Sequence, residues 1–82
     1  MDENELIIAD EILEFLKKWK ITDSEQIQKE IRFKLQFSNV NLDVNFDKII
    51  QYLIDENLIS RKKKGIGRFD DLELTKQGRR VS

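Results

Sequence analysis

The chain has 82 residues and contains no cysteine and no histidine, which excludes zinc-type metal centres, thiol nucleophiles and imidazole bases together. Its 15 basic and 16 acidic residues leave a net charge of −1, and a chain of this length makes one domain, residues 1–82, with a small core. The longest apolar run, Leu6-Ile7-Ile8-Ala9, is too short to span a bilayer or to form a secretory signal, so a cytoplasmic protein with no membrane partner and no cofactor is expected.

The first expected element is a helix over residues 5–19. Leu6, Ala9, Leu13, Leu16 and Trp19 recur at helical spacing, and Ile8, Ile12 and Phe15 widen the stripe. Acids cluster at its start and Lys17, Lys18 and Lys20 at its end, the arrangement a helix dipole favours. Ile21 fits a short edge strand. Thr22-Asp23-Ser24-Glu25 has the form of a capping box and predicts the start of a second helix, supported by Ile27, Ile31 and Leu35. Ile31, Phe33, Leu35 and Phe37 also alternate with polar residues at the strand period; the cap and the Gln-Lys-Glu run before them favour helix. Ser38-Asn39-Val40-Asn41 reads as a turn, with Asn41 or Asp43 as the cap of a third helix. Phe46, Ile49, Ile50, Leu53 and Ile54 give that helix its apolar stripe, and Asn57 suits a left-handed residue at its end. A β-hairpin follows, with strands over about 58–63 and 69–75 joined across Gly65-Ile66-Gly67; Leu72 and Leu74 share the strand face that meets the helices.

Charge is distributed unevenly. Residues 1–16 carry six acids and no base, whereas residues 58–69 carry five bases, Arg61, Lys62, Lys63, Lys64 and Arg68, and no acid. A near-neutral sum therefore hides a basic hairpin.

This order of elements, three helices followed by a two-stranded hairpin in an α+β, mainly α chain, resembles the winged helix-turn-helix superfamily over residues 5–78. Tyr52-Leu53-Ile54-Asp55-Glu56-Asn57-Leu58-Ile59 looks like the end of a winged-helix recognition helix, with Asn57 in the usual glycine place. Leu74-Thr75-Lys76-Gln77-Gly78-Arg79 is similar to the leucine-threonine-x-x-glycine phrase that closes the wing in MarR-like and PadR-like repressors. The resemblance implies transcriptional regulation, with the third helix in the major groove of double-stranded DNA and the wing on the backbone or minor groove. Carried onto this sequence, it makes Asn41, Asn45, Lys48 and Gln51 the helix-three contacts and Lys62, Lys63, Lys64 and Arg68 the wing contacts. Two departures matter. The third helix is acidic, with Asp43, Asp47, Asp55 and Glu56 against Lys48 alone. The named repressors also continue into a dimerisation helix, whereas this sequence ends at Ser82, so a homodimer is expected to use other surfaces.

Each candidate has a plainer alternative. The lysine run touches phosphate or pairs with Asp70, Asp71 and Glu73 across the hairpin. Asn45, Lys48 and Gln51 read base edges or simply cover a helix. Lys29, Arg32 and Lys34 touch the DNA backbone or pair with Glu25 and Glu30. Phe33 and Phe37 fit poorly on the Ile27-Ile31-Leu35 stripe; they are assigned to the core, with an exposed dimer or partner patch as the alternative, and Trp19 and Tyr52 belong to the core or its edge. Ile66 is an exposed residue or a minor-groove wedge. Asp10, Glu11 and Glu14 form a solvated face rather than a metal or acid–base site. The sequence thus predicts a small winged-helix DNA-binding regulator and not an enzyme. A winged-helix module that binds a protein partner through its acidic third helix is the second reading.

Overall fold

The computed structural model describes residues 1–20, 22–62 and 71–81. The elements run α1 (Glu3–Lys18), β1 (Thr22–Asp23), α2 (Ser24–Leu35), α3 (Phe46–Asp55), β2 (Ile59–Lys62), β3 (Asp71–Leu74) and α4 (Lys76–Val81). The fold is α+β and mainly helical, with a small antiparallel sheet in the order β1-β3-β2. Among the described residues there are four helices rather than three, and a short edge strand, β1, joins the hairpin at Thr22–Asp23, next to Ile21, which lies outside the described residues.

Helix α1 begins earlier than its apolar stripe suggests. Asp2 caps it by accepting a hydrogen bond from the Glu5 amide at 2.8 Å, and Glu5 accepts one from the Asp2 amide at 3.2 Å. This reciprocal box satisfies two amides that would otherwise lack partners. Ile8, Ile12 and Leu16 face inward and are fully buried, while Leu6 is 48% exposed. The box expected at Thr22 is replaced by a cap at Asp23, whose carboxylate accepts from the Gln26 amide at 2.8 Å. Thr22 instead pairs with Leu72 in the sheet.

Helix wins over strand in residues 31–35, because Ile27 and Ile31 must both reach the core on one face. That choice corrects the assignment of the phenylalanines. Phe33 lies about 200° around the helix from Ile31, and it is 73% exposed; Phe37, beyond the helix end, is 94% exposed. Trp19 also leaves the core. Helix α1 stops at Lys18, Trp19 takes extended torsions (φ −115°, ψ 101°) and so no longer follows the helical stripe. Tyr52 is likewise on the surface, 36% exposed, and does not pack against the core.

Helix α3 supplies Phe46, Ile49, Ile50 and Leu53 to the core, opposite Ile8 and Ile12 of α1, Ile27 and Ile31 of α2, and Ile59, Leu72 and Leu74 of the sheet. Each such side chain contributes about 1.5–3 kcal/mol by leaving water. Leu72 and Leu74 face the helices as expected, with Asp71 and Glu73 alternating outward.

The chain leaves α3 through a Schellman turn. Asn57 has φ 59°, a conformation asparagine tolerates better than most residues. The Asn57 amide donates to the Ile54 carbonyl and the Leu58 amide to the Leu53 carbonyl, both at 2.9 Å. The Leu-Thr-x-x-Gly phrase then locks this turn from the other side. Thr75 donates its amide to the Leu58 carbonyl at 3.0 Å and its hydroxyl to the Asn57 carbonyl at 2.6 Å. The same hydroxyl accepts from the Gly78 amide at 3.0 Å, which starts α4.

Gly78 is buried because α4 lies against the Leu58 carbonyl; a Cβ there would sit 2.0 Å from that oxygen. In an unpacked helix, alanine in place of glycine would add up to about 1 kcal/mol. Here Gly78→Ala is expected to lower the free energy of unfolding by about 1–3 kcal/mol, because the backbone must move to admit it. Urea denaturation checks this, and a gain in stability would show that α4 does not press on Leu58.

Candidate nucleic-acid interface

The sheet places the basic end of β2 beside the acidic edge of β3. Arg61 lies opposite Leu72 and Lys62 opposite Asp71. Lys62 reaches diagonally to Glu73, with Nζ 2.8 Å from Oε1, and its side chain stays 60% exposed. An exposed pair of this kind is worth about 0–1 kcal/mol, so it does not hold the ammonium against a competing phosphate. Lys63, Lys64 and Arg68, with Ile66 and the Gly65-Ile66-Gly67 turn, lie outside the described residues.

The four helix-three candidates divide. Asn41 precedes α3 and serves as a latch. Its amide donates to Asn4 Oδ1 at 2.8 Å, its carbonyl accepts from Asn4 Nδ2 at 2.6 Å, and its own Oδ1 accepts from the Asp43 amide at 2.9 Å. Asn45 is the α3 cap, accepting from the Lys48 amide at 3.2 Å, so the cap is neither Asn41 nor Asp43. Lys48 and Gln51 do project from the exposed side of α3. Lys48 Nζ is 3.8 Å from Glu5 Oε2, and Gln51 Nε2 donates to Asp55 Oδ1 at 2.9 Å. Base-edge chemistry on α3 is thus concentrated in two adjacent side chains, Gln51 with an exposed partner in Asp55 and Lys48 at long range from the largely covered Glu5 carboxylate.

Two of the helix-two bases have internal work. The Arg32 guanidinium donates to the Leu42 carbonyl at 3.0 Å and stands 4.8 Å from the Phe46 ring centroid. Lys34 pairs with Glu11 of α1 at 2.5 Å. Glu30 accepts from Gln26 at 3.1 Å, so the expected pairing of these bases with Glu25 and Glu30 is replaced by ties to α1 and the α2–α3 loop. Lys29 is exposed on α2.

Sequence reasoning overlooked a second group of bases. Lys76, Arg79 and Arg80 are exposed on α4. At about 100° per residue they share one side of the helix, away from buried Gly78. Their three- and four-residue spacing after the Leu-Thr-x-x-Gly phrase was the available signal. Residues 61–82 hold eight bases against three acids, and residues 1–60 seven bases against thirteen acids. The helical body is therefore acidic, and the hairpin and α4 are basic.

No protein-family model matches the chain and no curated protein is significantly similar to it. Among the described residues no group of three or more acidic, histidine or cysteine side chains is placed to hold a metal ion, and no helix is long and apolar enough to cross a membrane.

The two kinds of helix-three residue separate experimentally. Asn45→Ala should cost about 0.5–2 kcal/mol of stability as a lost cap, whereas Gln51→Ala, fully on the surface, should stay within about 0.5 kcal/mol of the parent. Thermal unfolding of the two variants checks this; equal stabilities would contradict the capping role.

Proposed function

We propose that this chain is a small winged-helix protein that holds duplex DNA through its hairpin and α4 and acts in transcriptional regulation. The order α1, β1, α2, α3, β2, β3 supports the winged-helix reading, with β1 closing the sheet on the free edge of β3. The observation that carries the DNA reading is the charge separation: the excess of bases falls entirely after residue 60, on the hairpin and the helix docked behind it. Phosphate contacts from such a surface give affinity without sequence preference. Base reading is narrow, resting on Lys48 and on Gln51, whose amide suits adenine.

A second reading follows from the acids around α3. Asp43, Asp47, Asp55 and Glu56 are all exposed and repel phosphate, which favours a winged helix that binds a basic protein surface instead.

One series of variants separates the readings. Lys63→Glu with Arg68→Glu should weaken binding to every duplex alike, and Gln51→Ala should cost about 1–3 kcal/mol on one preferred sequence only. Fluorescence anisotropy with several labelled duplexes measures both. Unchanged affinity in the charge-reversed variant would remove the hairpin from the interface and leave the protein-binding reading in its place.

A further inference from the structure

Helices α1 and α2 lie side by side and leave a groove that reaches core residue Ile31 and is lined by three aromatic side chains, Phe15, Trp19 and Phe33. Phe15 and Trp19 stack at a tilt, with ring centroids 6.4 Å apart. Trp19 is 56% exposed and Phe33 73%. Gln36 keeps helical torsions (φ −60°, ψ −28°), so Phe37 follows Phe33 by about one turn and extends the apolar strip. A whole aromatic side chain offers about 150–250 Å², which puts the exposed surface of Trp19, Phe33 and Phe37 at roughly 400 Å². Patches of that size on small proteins are often functional.

The charges around the groove indicate what covers it. Its rim holds three acids, Glu11, Glu14 and Glu30, and three bases, Lys17, Lys18 and Lys34. A balanced rim favours neither a polyanion nor a polycation. Two pairs are satisfied within the chain, Lys34 with Glu11 and Lys17 with Glu14. Among the described residues Lys18 on the α1 wall and Glu30 on the α2 wall make no ion pair, Glu30 accepting only the Gln26 side-chain amide, and both stand toward the Trp19 end, where Glu30 lines the space beside Phe15 and Trp19.

We infer that the groove is a homodimer interface, in which a second copy of this chain packs against it about a two-fold axis running along the groove. That axis sets the α1 wall of each copy against the α2 wall of the other. Lys18 of one copy then meets Glu30 of its partner, twice by symmetry. The aromatic strip forms the dry centre and the charged residues form the rim. The aromatic strip alone, at roughly 400 Å², is about half of the roughly 800 Å² per partner of a standard interface. This inference goes beyond the DNA-binding reading, and its test contains no nucleic acid, so the two can fail separately.

Trp19 is the single tryptophan and reports directly from the interface. At about 100 µM, a hundredfold above a micromolar Kd, sedimentation equilibrium should give twice the chain mass of 9.8 kDa. Trp19 emission should shift to the blue with rising concentration. Phe33→Lys with Phe37→Lys should abolish both effects while leaving urea stability unchanged at concentrations well below the Kd, where the parent is monomeric and both rings are solvent-exposed. Lys18→Glu and Glu30→Lys should each weaken self-association roughly tenfold through two like-charge contacts. Mixed one to one, these two variants should recover the parent affinity, because only their heterodimer restores both pairs. A chain that stays monomeric at this concentration leaves the groove to an unlike partner and overturns the inference. A dimer without a Trp19 shift, or a mixture no tighter than its components, overturns it as well.

Discussion

The peptide units around Leu58 decide how the halves of this molecule are joined. The Leu58 amide closes α3 on the Leu53 carbonyl, and its own carbonyl accepts the Thr75 amide. The same carbonyl is the surface against which Gly78 brings α4. Helix, hairpin and terminal helix therefore share one backbone joint, and Asn57, at φ 59°, gives the chain the turn that makes it possible. The joint contains few apolar atoms. Its rigidity comes from hydrogen bonds whose partners have no alternative once Leu53, Ile59 and Leu74 are buried around them.

Fixing the hairpin to the end of α3 has an electrostatic consequence. The body up to residue 60 is acidic and the segment after it basic, and the proposed DNA reading rests on that separation. Exposed charges are screened over about 8 Å at physiological salt, which makes the local balance on the hairpin more important than the net charge of −1. The Lys62–Glu73 pair is exposed on the lysine side, and the acids that most oppose DNA lie on and around α3. In the proposed winged-helix reading, the wing and α4 therefore provide affinity and α3 provides limited selectivity.

Much of the architecture was legible because it rests on local patterns with one physical solution. The stripe Phe46, Ile49, Ile50, Leu53 buries one helix face, Leu72 and Leu74 bury one strand face, and Asn57 takes the left-handed position. The errors fell where a side chain's neighbours in space decide between equal local options. Thr22 and Asp23 both cap helices well; pairing of Thr22 with Leu72 gives the cap to Asp23. Asn41, Asp43 and Asn45 are all competent caps, and the clasp between Asn41 and Asn4, far apart in sequence, settles it for Asn45. Hydrophobicity alone placed Phe33 and Phe37 inside, although on a helix committed to Ile27 and Ile31 they point outward. The bases of α4 escaped notice because a short helix after a wing phrase has no apolar periodicity of its own to announce it.

The most direct test of the account is the salt dependence of binding to a random-sequence duplex, followed by fluorescence anisotropy from about 50 to 200 mM salt, where each neutralised phosphate contributes a slope of about −0.9 in log affinity against log salt. The account expects a slope corresponding to at least about three phosphates per protomer. Absence of binding at the lowest salt would contradict it and would turn attention to the acidic surface of α3 as the functional face.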